Sequence, residues 1–542
     1  MTKLSASLSS SFSRVVKRSL VIFFFFFLLM AGWLVIWSLI SVSSLKQLQF
    51  DQSARQAQMA LAVTKPINFI SNNQLSLMTT WQAGLKLVTL LPEWNKYLTS
   101  SNINSTSSEE TQLLPPQFMT QTFAGLDQIS QHQSKIKLFS QLTPKPMANF
   151  LNFWQAHSPE LKTLISDYLL NDHTILLVFQ NSHELRATGG FMGSYALLKT
   201  KSGQIESLVV EDIYDADGQF TGFVSAPPGV QEYLSSARGM RLPDSNWQAE
   251  FSQSAQNILQ YFALGNRSNI DTVMAVNHSV LENLLQLTGP VYLPDYHQTI
   301  TAETAVNLLE NRPGAFFAGS GQKKHLISQL LNQMMLKTED LTTDDWSKLL
   351  ALLPRFVSQK DLQIYSIQPK LQAKLEQLNL TGSWTWPENT DLIGWVESNV
   401  GINKVNKYVT RSLEIELKQY QTQIFAQFDN TDSLQYTNYQ RVYIPSQWQV
   451  VSVVDHQKEI VDWHLEIIEL ASGQTVGEIG FLMLVPGYGQ QAISLVFDRR
   501  NNPLTEGKKV YLPKQSGLPP VPITITRTES TVTLVWEKDE IL

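Results

Sequence analysis

Apolar positions along this chain fall into distinct regimes. From Ser19 to Leu45 the run SLVIFFFFFLLMAGWLVIWSLISVSSL carries no charge. Its 27 residues make roughly 40 Å of helix, against about 30 Å of bilayer hydrocarbon. Lys3, Arg14, Lys17 and Arg18 precede it and the first acid is Asp51. The positive-inside rule then predicts a transmembrane helix over 19–45, with the basic segment 1–18 in the cytoplasm and the bulk of the chain extracellular or periplasmic. A cleaved signal peptide is the rival, but its apolar core runs only about 7–15 residues. Residues 46–170 show helical spacing (Leu48, Ala54, Met59, Leu61), with breaks at Pro66, a Ser-rich linker over 100–112, Pro115-Pro116, and Pro144 and Pro146. They predict a membrane-proximal helical region without chemistry of its own.

At Asp172 the pattern changes. TILLVFQ (Thr174–Gln180) is an apolar run of strand length, and Gly193–Thr200 and Ile205–Tyr214 are two further candidate strands around the turn Lys201-Ser202-Gly203. Ala249–Leu264 places Phe251, Ala255, Ile258, Leu259 and Phe262 on one helical face. Asp271–Asn277 reads as a buried strand, Ser279–Leu287 as a helix stopped by Gly289-Pro290, and Val291–Leu293 as a short strand. Thr301 is placed to cap a helix through Glu310, and His325–Leu336 is another apolar helix. Strands alternating with helices over 171–400 predict a mixed α/β sheet covered by helices. Over 401–542 helical periodicity is absent. Arg411–Leu417, Gln423–Phe428, Tyr439–Ile444, Trp463–Glu469, Ala492–Phe497 and Pro522–Thr526 read as strands of a C-terminal β-sandwich with about seven or eight strands.

Composition narrows the chemistry. Of 542 residues, 41 are Lys or Arg and 47 Asp or Glu, a net charge of −6, with no cysteine. That excludes disulfides, thiol nucleophiles and cysteine-held metal, and scattered, mildly acidic charge speaks against nucleic acid as a partner. The nine histidines show no metal-binding spacing, and no Gly-x-Ser-x-Gly elbow occurs. Gly189-Gly190-x-x-Gly193 lies between two strands, which is not the strand–loop–helix context of a dinucleotide or phosphate loop.

The stretch FQNSHELRATGGFMGSYALLKTKSGQIESLVVEDIYDADGQF (Phe179–Phe220) resembles the signature of the bacterial domain-of-unknown-function 4012 family. So do Asp244–Gln256, Ile270–Val291, Trp395–Leu413, Tyr436–Pro445 and KQSG at Lys514–Gly517, in that order. The resemblance implies one N-terminal membrane helix and a long exported region, but no activity. A fainter resemblance in element order is to the LytR-CpsA-Psr family. It implies a LytR-CpsA-Psr-like sheet and, at most, transfer of polyprenyl-pyrophosphate-linked glycopolymer to the wall.

A pyrophosphate site of that kind needs arginines for the phosphates and acids for magnesium. Arg186, Lys323 and Lys324 are the candidate phosphate-binding residues. The family's next acid is here Thr188, and lysines stand where paired arginines are expected, which removes the bidentate fork. Glu211, Asp212, Asp215 and Asp217 are the candidate metal ligands, although the calcium-loop pattern is missing. Magnesium is expected only with transferase activity. The set is incomplete, so the sequence favours a non-catalytic, membrane-anchored envelope protein with a binding or assembly role. A divergent transferase and an adhesin or structural surface protein are the alternatives. Expected partners are membrane lipid, cell-wall glycopolymer or envelope proteins.

Overall fold

The computed structural model describes residues 116–133 and 145–542 apart from 221, 236–237, 268, 310–320, 338–342, 456–460 and 528–529, with only isolated helical residues between 55 and 90 before them. The chain divides into two compact units, 1–158 with 341–350, and 159–340 with 351–542. In the first, helix Pro116–Gln133 packs with the start of helix Lys145–Leu170, and Trp154 Nε1 donates to Asp127 Oδ1 at 3.0 Å. The second helix kinks at His157, just before Pro159, whose missing N–H interrupts the ladder.

The second unit begins with a five-stranded sheet in the order β3-β2-β1-β4-β7. These strands are β1 (His173–Asn181), β2 (Phe191–Lys201), β3 (Gln204–Asp212), β4 (Thr272–Asn277) and β7 (Leu362–Ser366). A two-stranded ribbon, β5 (Val291–Leu293) with β6 (Gln298–Ile300), lies aside. Ser202 (φ 48°) and Gly203 (φ 79°) close the β2–β3 hairpin in the left-handed conformation that a tight hairpin turn demands. β1 and β4 are the sheet's parallel pair. β1 is apolar throughout because both its faces are covered. Leu176 and Val178 meet Phe251, Ala255 and Ile258 of helix Phe251–Leu264, while Leu177 and Phe179 meet Ile327 of helix Gly321–Lys337. Thr301 Oγ1 accepts from Thr304 N at 3.2 Å and caps helix Ala302–Leu309.

The remaining strands are β8 (Thr390–Leu392), β9 (Gly394–Asn399), β10 (Val409–Leu417), β11 (Gln421–Asn430), β12 (Tyr436–Pro445), β13 (Gln449–Asp455), β14 (Trp463–Glu469), β15 (Thr475–Val485), β16 (Gly489–Asp498), β17 (Lys509–Leu512), β18 (Val521–Arg527), β19 (Ser530–Trp536) and β20 (Glu540–Ile541). They form a six-stranded sheet β13-β16-β11-β10-β18-β19, a four-stranded sheet β14-β15-β12-β9 and a small sheet β20-β17-β8. Leu413, Ile415, Ile424 and Phe428 of the six-stranded sheet interdigitate with Val442, Ile444, Ile479 and Phe481 of the four-stranded one. The other face of β12 is also buried. Tyr439 sits in the α/β core beside Trp247, ring centroids 5.7 Å apart, and Tyr443 meets Trp384 edge-on at 4.9 Å.

The expected fold class is corrected by this arrangement. In place of a LytR-CpsA-Psr-like α/β domain followed by a separate all-β sandwich, the unit is one mixed α/β assembly of several sheets. In the four-stranded sheet β12 and its edge strand β9 are packed on both faces. Among the described residues no helix is long and apolar enough to cross a membrane. The expected span 19–45 and the linker 100–112 lie outside the described residues.

Candidate functional site

Arg186 follows β1 in a tight loop and is 1% exposed. Its Nη2 lies 3.2 Å from Glu184 Oε1 and 3.3 Å from Asp244 Oδ1, and its Nη1 donates to the carbonyl of Asn399 at 2.5 Å. The guanidinium therefore joins the first sheet to β9. Burial raises both carboxyls, and Arg186 opposes that rise. Lys324, on helix Gly321–Lys337, pairs with Asp215 at 3.4 Å, half-exposed. Lys323 lies in the same helix, and its side chain is outside the described residues.

The four carboxylates of the acidic turn point to four different partners. Glu211 binds Arg267 Nη1 at 2.5 Å and the Tyr195 hydroxyl, and Asp212 Oδ1 accepts from Tyr214 N at 3.0 Å to cap helix Ile213–Asp217. Asp215 holds Lys324, and Asp217 takes Arg241 together with the amide of Leu242 at 2.9 Å. No group of three His, Asp or Glu side chains able to hold a metal occurs among the described residues.

The loops after β1 and β4 are closed by residues from the far end of the chain. Ser516 Oγ donates to the Lys360 carbonyl at 2.6 Å and accepts from Asn277 Nδ2 at 2.9 Å. Gly517 (φ 77°) and Gly189 (φ 138°) approach so closely that a Cβ on Gly517 would strike the Gly189 carbonyl. Gln515 Nε2 donates to the carbonyls of Arg186 (3.1 Å) and Glu397 (2.8 Å). Residues far apart in the chain, from Arg186 to Gly517, thus meet where the parallel strands β1 and β4 end, the usual ligand position of open α/β sheets.

Lys514 opens the closing loop and is 3% exposed. Its Nζ donates to the carbonyls of Gln515 (2.9 Å) and Leu518 (2.8 Å), yet burial pushes its pKa down to about 7. Between that value and the ordinary value near 10.5, the unfolded chain holds a proton that the folded chain does not. Stability is therefore expected to rise with pH across this window, by ~1.4 kcal/mol per pH unit at most. Denaturant midpoints from pH 7 to 10 check it, because Lys514→Met removes the slope.

A cavity of about 220 Å³ opens beside Arg186, lined by Gln180, Glu184, Phe191, Ser194, Tyr214 and Lys404 among others. Gln180 is 1% exposed and its Oε1 accepts from Thr188 Oγ1 (2.9 Å) and Asn246 Nδ2 (3.0 Å). These two donors fix the amide's orientation and leave Nε2 without a partner. Tyr214 is 45% exposed, its ring centroid 6.5 Å from that of Phe191. Burial, with Glu184, Asp244 and Asp212 nearby, pushes its phenol up to about 12, so it stays a neutral donor. Ile402, on the rim, is 66% exposed at φ 51°, a costly conformation for a β-branched residue that holds its side chain outward. The candidates drawn from the sequence did not include Gln180, Glu184, Phe191 or Tyr214. All four lie within the Phe179–Phe220 signature, and only the fold shows that they share a cavity.

Residues 171–313 match the family model DUF4012, described as a protein of unknown function. No curated protein matches the chain.

Proposed function

We propose that this chain is a non-catalytic binding protein of the cell envelope whose cavity beside Arg186 takes a sugar unit of a wall glycopolymer. The observation that carries the reading is a cavity that brings the Gln180 residue and the Glu184 carboxyl together with the aromatic side chains of Phe191 and Tyr214. Hydroxyl-rich ligands need both features, hydrogen-bonding groups for their hydroxyls and an aromatic face for their C–H side. The charge-free run Ser19–Leu45, with its basic flank, supports an envelope location. The transferase alternative has less support, because Arg186 is buried against Glu184 and Asp244 and the acidic turn is divided among four partners.

Retention of the purified chain on polysaccharide isolated from the wall of the producing organism tests this. Tyr214→Ala is expected to weaken retention about tenfold through loss of one stacking face, with an unchanged melting temperature. Undiminished retention by that variant would sink the reading.

A further inference from the structure

We propose that a second cavity, lined in part by Ser182 and His183, is an oxyanion site for a phosphoryl group. The inference stands apart from the sugar-binding reading, since it uses different residues and a different ligand group.

The cavity measures about 340 Å³, and its lining includes Arg355, Lys407, Lys514, His183, His278 and Asp361. Three basic side chains thus reach it from three separate elements: helix Thr343–Ser358, the loop between β9 and β10, and the segment after β17. None of the three lies in an ion pair among the described residues, whereas Arg186, Arg241, Arg267, Arg411 and Arg499 all do. Arg355 is oriented by neutral amides. Its Nε donates to Gln359 Oε1 at 3.1 Å and its Nη1 to Asn283 Oδ1 at 3.2 Å, which aims the fork without cancelling its charge. Lys407 lies over the Tyr408 ring at 5.0 Å and is otherwise exposed.

Two carboxylates also face the cavity. Asp361 is occupied by Asn277 Nδ2 at 3.1 Å, and Glu537 is exposed. Arg355 and Lys407 face them as the exposed basic pair, and burial holds the Asp361 carboxyl above its ordinary range. On the wall, the His278 and His183 rings lie 4.7 Å apart, and His278 Nδ1 accepts from Ser182 N at 3.2 Å. That bond puts the proton of neutral His278 on Nε2, which faces Glu282 Oε1 at 3.8 Å. A phosphoryl group suits this set. Its oxygens accept from several directions at once, and it favours a planar guanidinium beside point-charge ammoniums. The volume exceeds one phosphate, and Leu518, Pro519 and Pro520 supply an apolar wall. The ligand is accordingly an organic phosphate, with the phosphoryl at Arg355 and Lys407 and its organic part against that wall. Such a ligand would favour the protonated form of Lys514, which burial now opposes.

Calorimetric titration of the full chain with glycerol 3-phosphate, inorganic phosphate and potassium chloride tests the proposal, alongside flotation with phosphatidylcholine vesicles with and without phosphatidic acid. Saturable binding of glycerol 3-phosphate is expected, tighter than inorganic phosphate and absent for chloride. The double variant Arg355→Gln/Lys407→Gln, both exposed positions, is expected to weaken it at least tenfold with an unchanged melting temperature. Flotation only with phosphatidic acid, lost in the double variant, supports the same site with a lipid headgroup as the source. Equal binding by the double variant, equal response to chloride, or no binding in either arm overturns the proposal.

Discussion

Arg186→Met is expected to lower the unfolding free energy by about 3–5 kcal/mol, because it strands two buried carboxyls. Glu184 and Asp244 both lie within 3.3 Å of the Arg186 guanidinium, and burial already holds each above its ordinary pKa. Without the guanidinium they rise further. A raised folded pKa means that the folded state binds more protons than the unfolded one above about pH 4, so stability falls as pH increases through that range. The variant should therefore be less destabilised at pH 5 than at pH 8, and urea titrations at the two values measure this. A phosphate-gripping role for Arg186 makes the opposite forecast: an unchanged midpoint and lost ligand binding.

The second large effect is expected at Glu397. Its carboxylate takes Arg411 in a two-pronged pair, Nε to Oε1 at 2.6 Å and Nη2 to Oε2 at 2.9 Å, with Tyr436 Oη (3.0 Å) and Asn438 Nδ2 (2.7 Å) on the same oxygen. Both ionic side chains are 1% exposed. Glu397→Leu leaves a bare guanidinium in the interior and should cost about 3–5 kcal/mol or more. Glu397→Leu combined with Arg411→Met removes both charges and should recover much of that loss. A double-mutant cycle in guanidinium chloride reads the coupling. Additive single effects would mean that the pair is not the source of the cost.

These two sites also mark where the sequence stops being legible. The apolar run of β1, the β2–β3 turn and the amphipathic helix Phe251–Leu264 are visible because each follows from local periodicity or turn chemistry. β9 is not visible in that way. Its residues Glu397, Ser398 and Asn399 are fully buried, so a core strand reads as polar. They are buried because Arg411, Asn438 and Asn403 satisfy them, and of these only Asn403 is a near neighbour in sequence. The same holds for Arg186. Its neighbour Glu184 is evident in the sequence, but Asp244 and the Asn399 carbonyl lie 58 and 213 residues away. Gln180 ends an apolar run and passes for an ordinary strand terminus. Its unpartnered amide emerges only once Thr188 and Asn246 have taken its oxygen.

The link between Asn277 and Ser516 sets the timing of maturation. The two residues are 239 positions apart, and at roughly 5–20 residues per second a ribosome needs about 12–48 s to travel between them. Through that interval the ends of β1 and β4 lack their covering segment, however early the sheet itself forms. Premature termination before residue 514 would leave a nearly full-length product with the ends of β1 and β4 unroofed, which quality-control proteases would meet as an open seam.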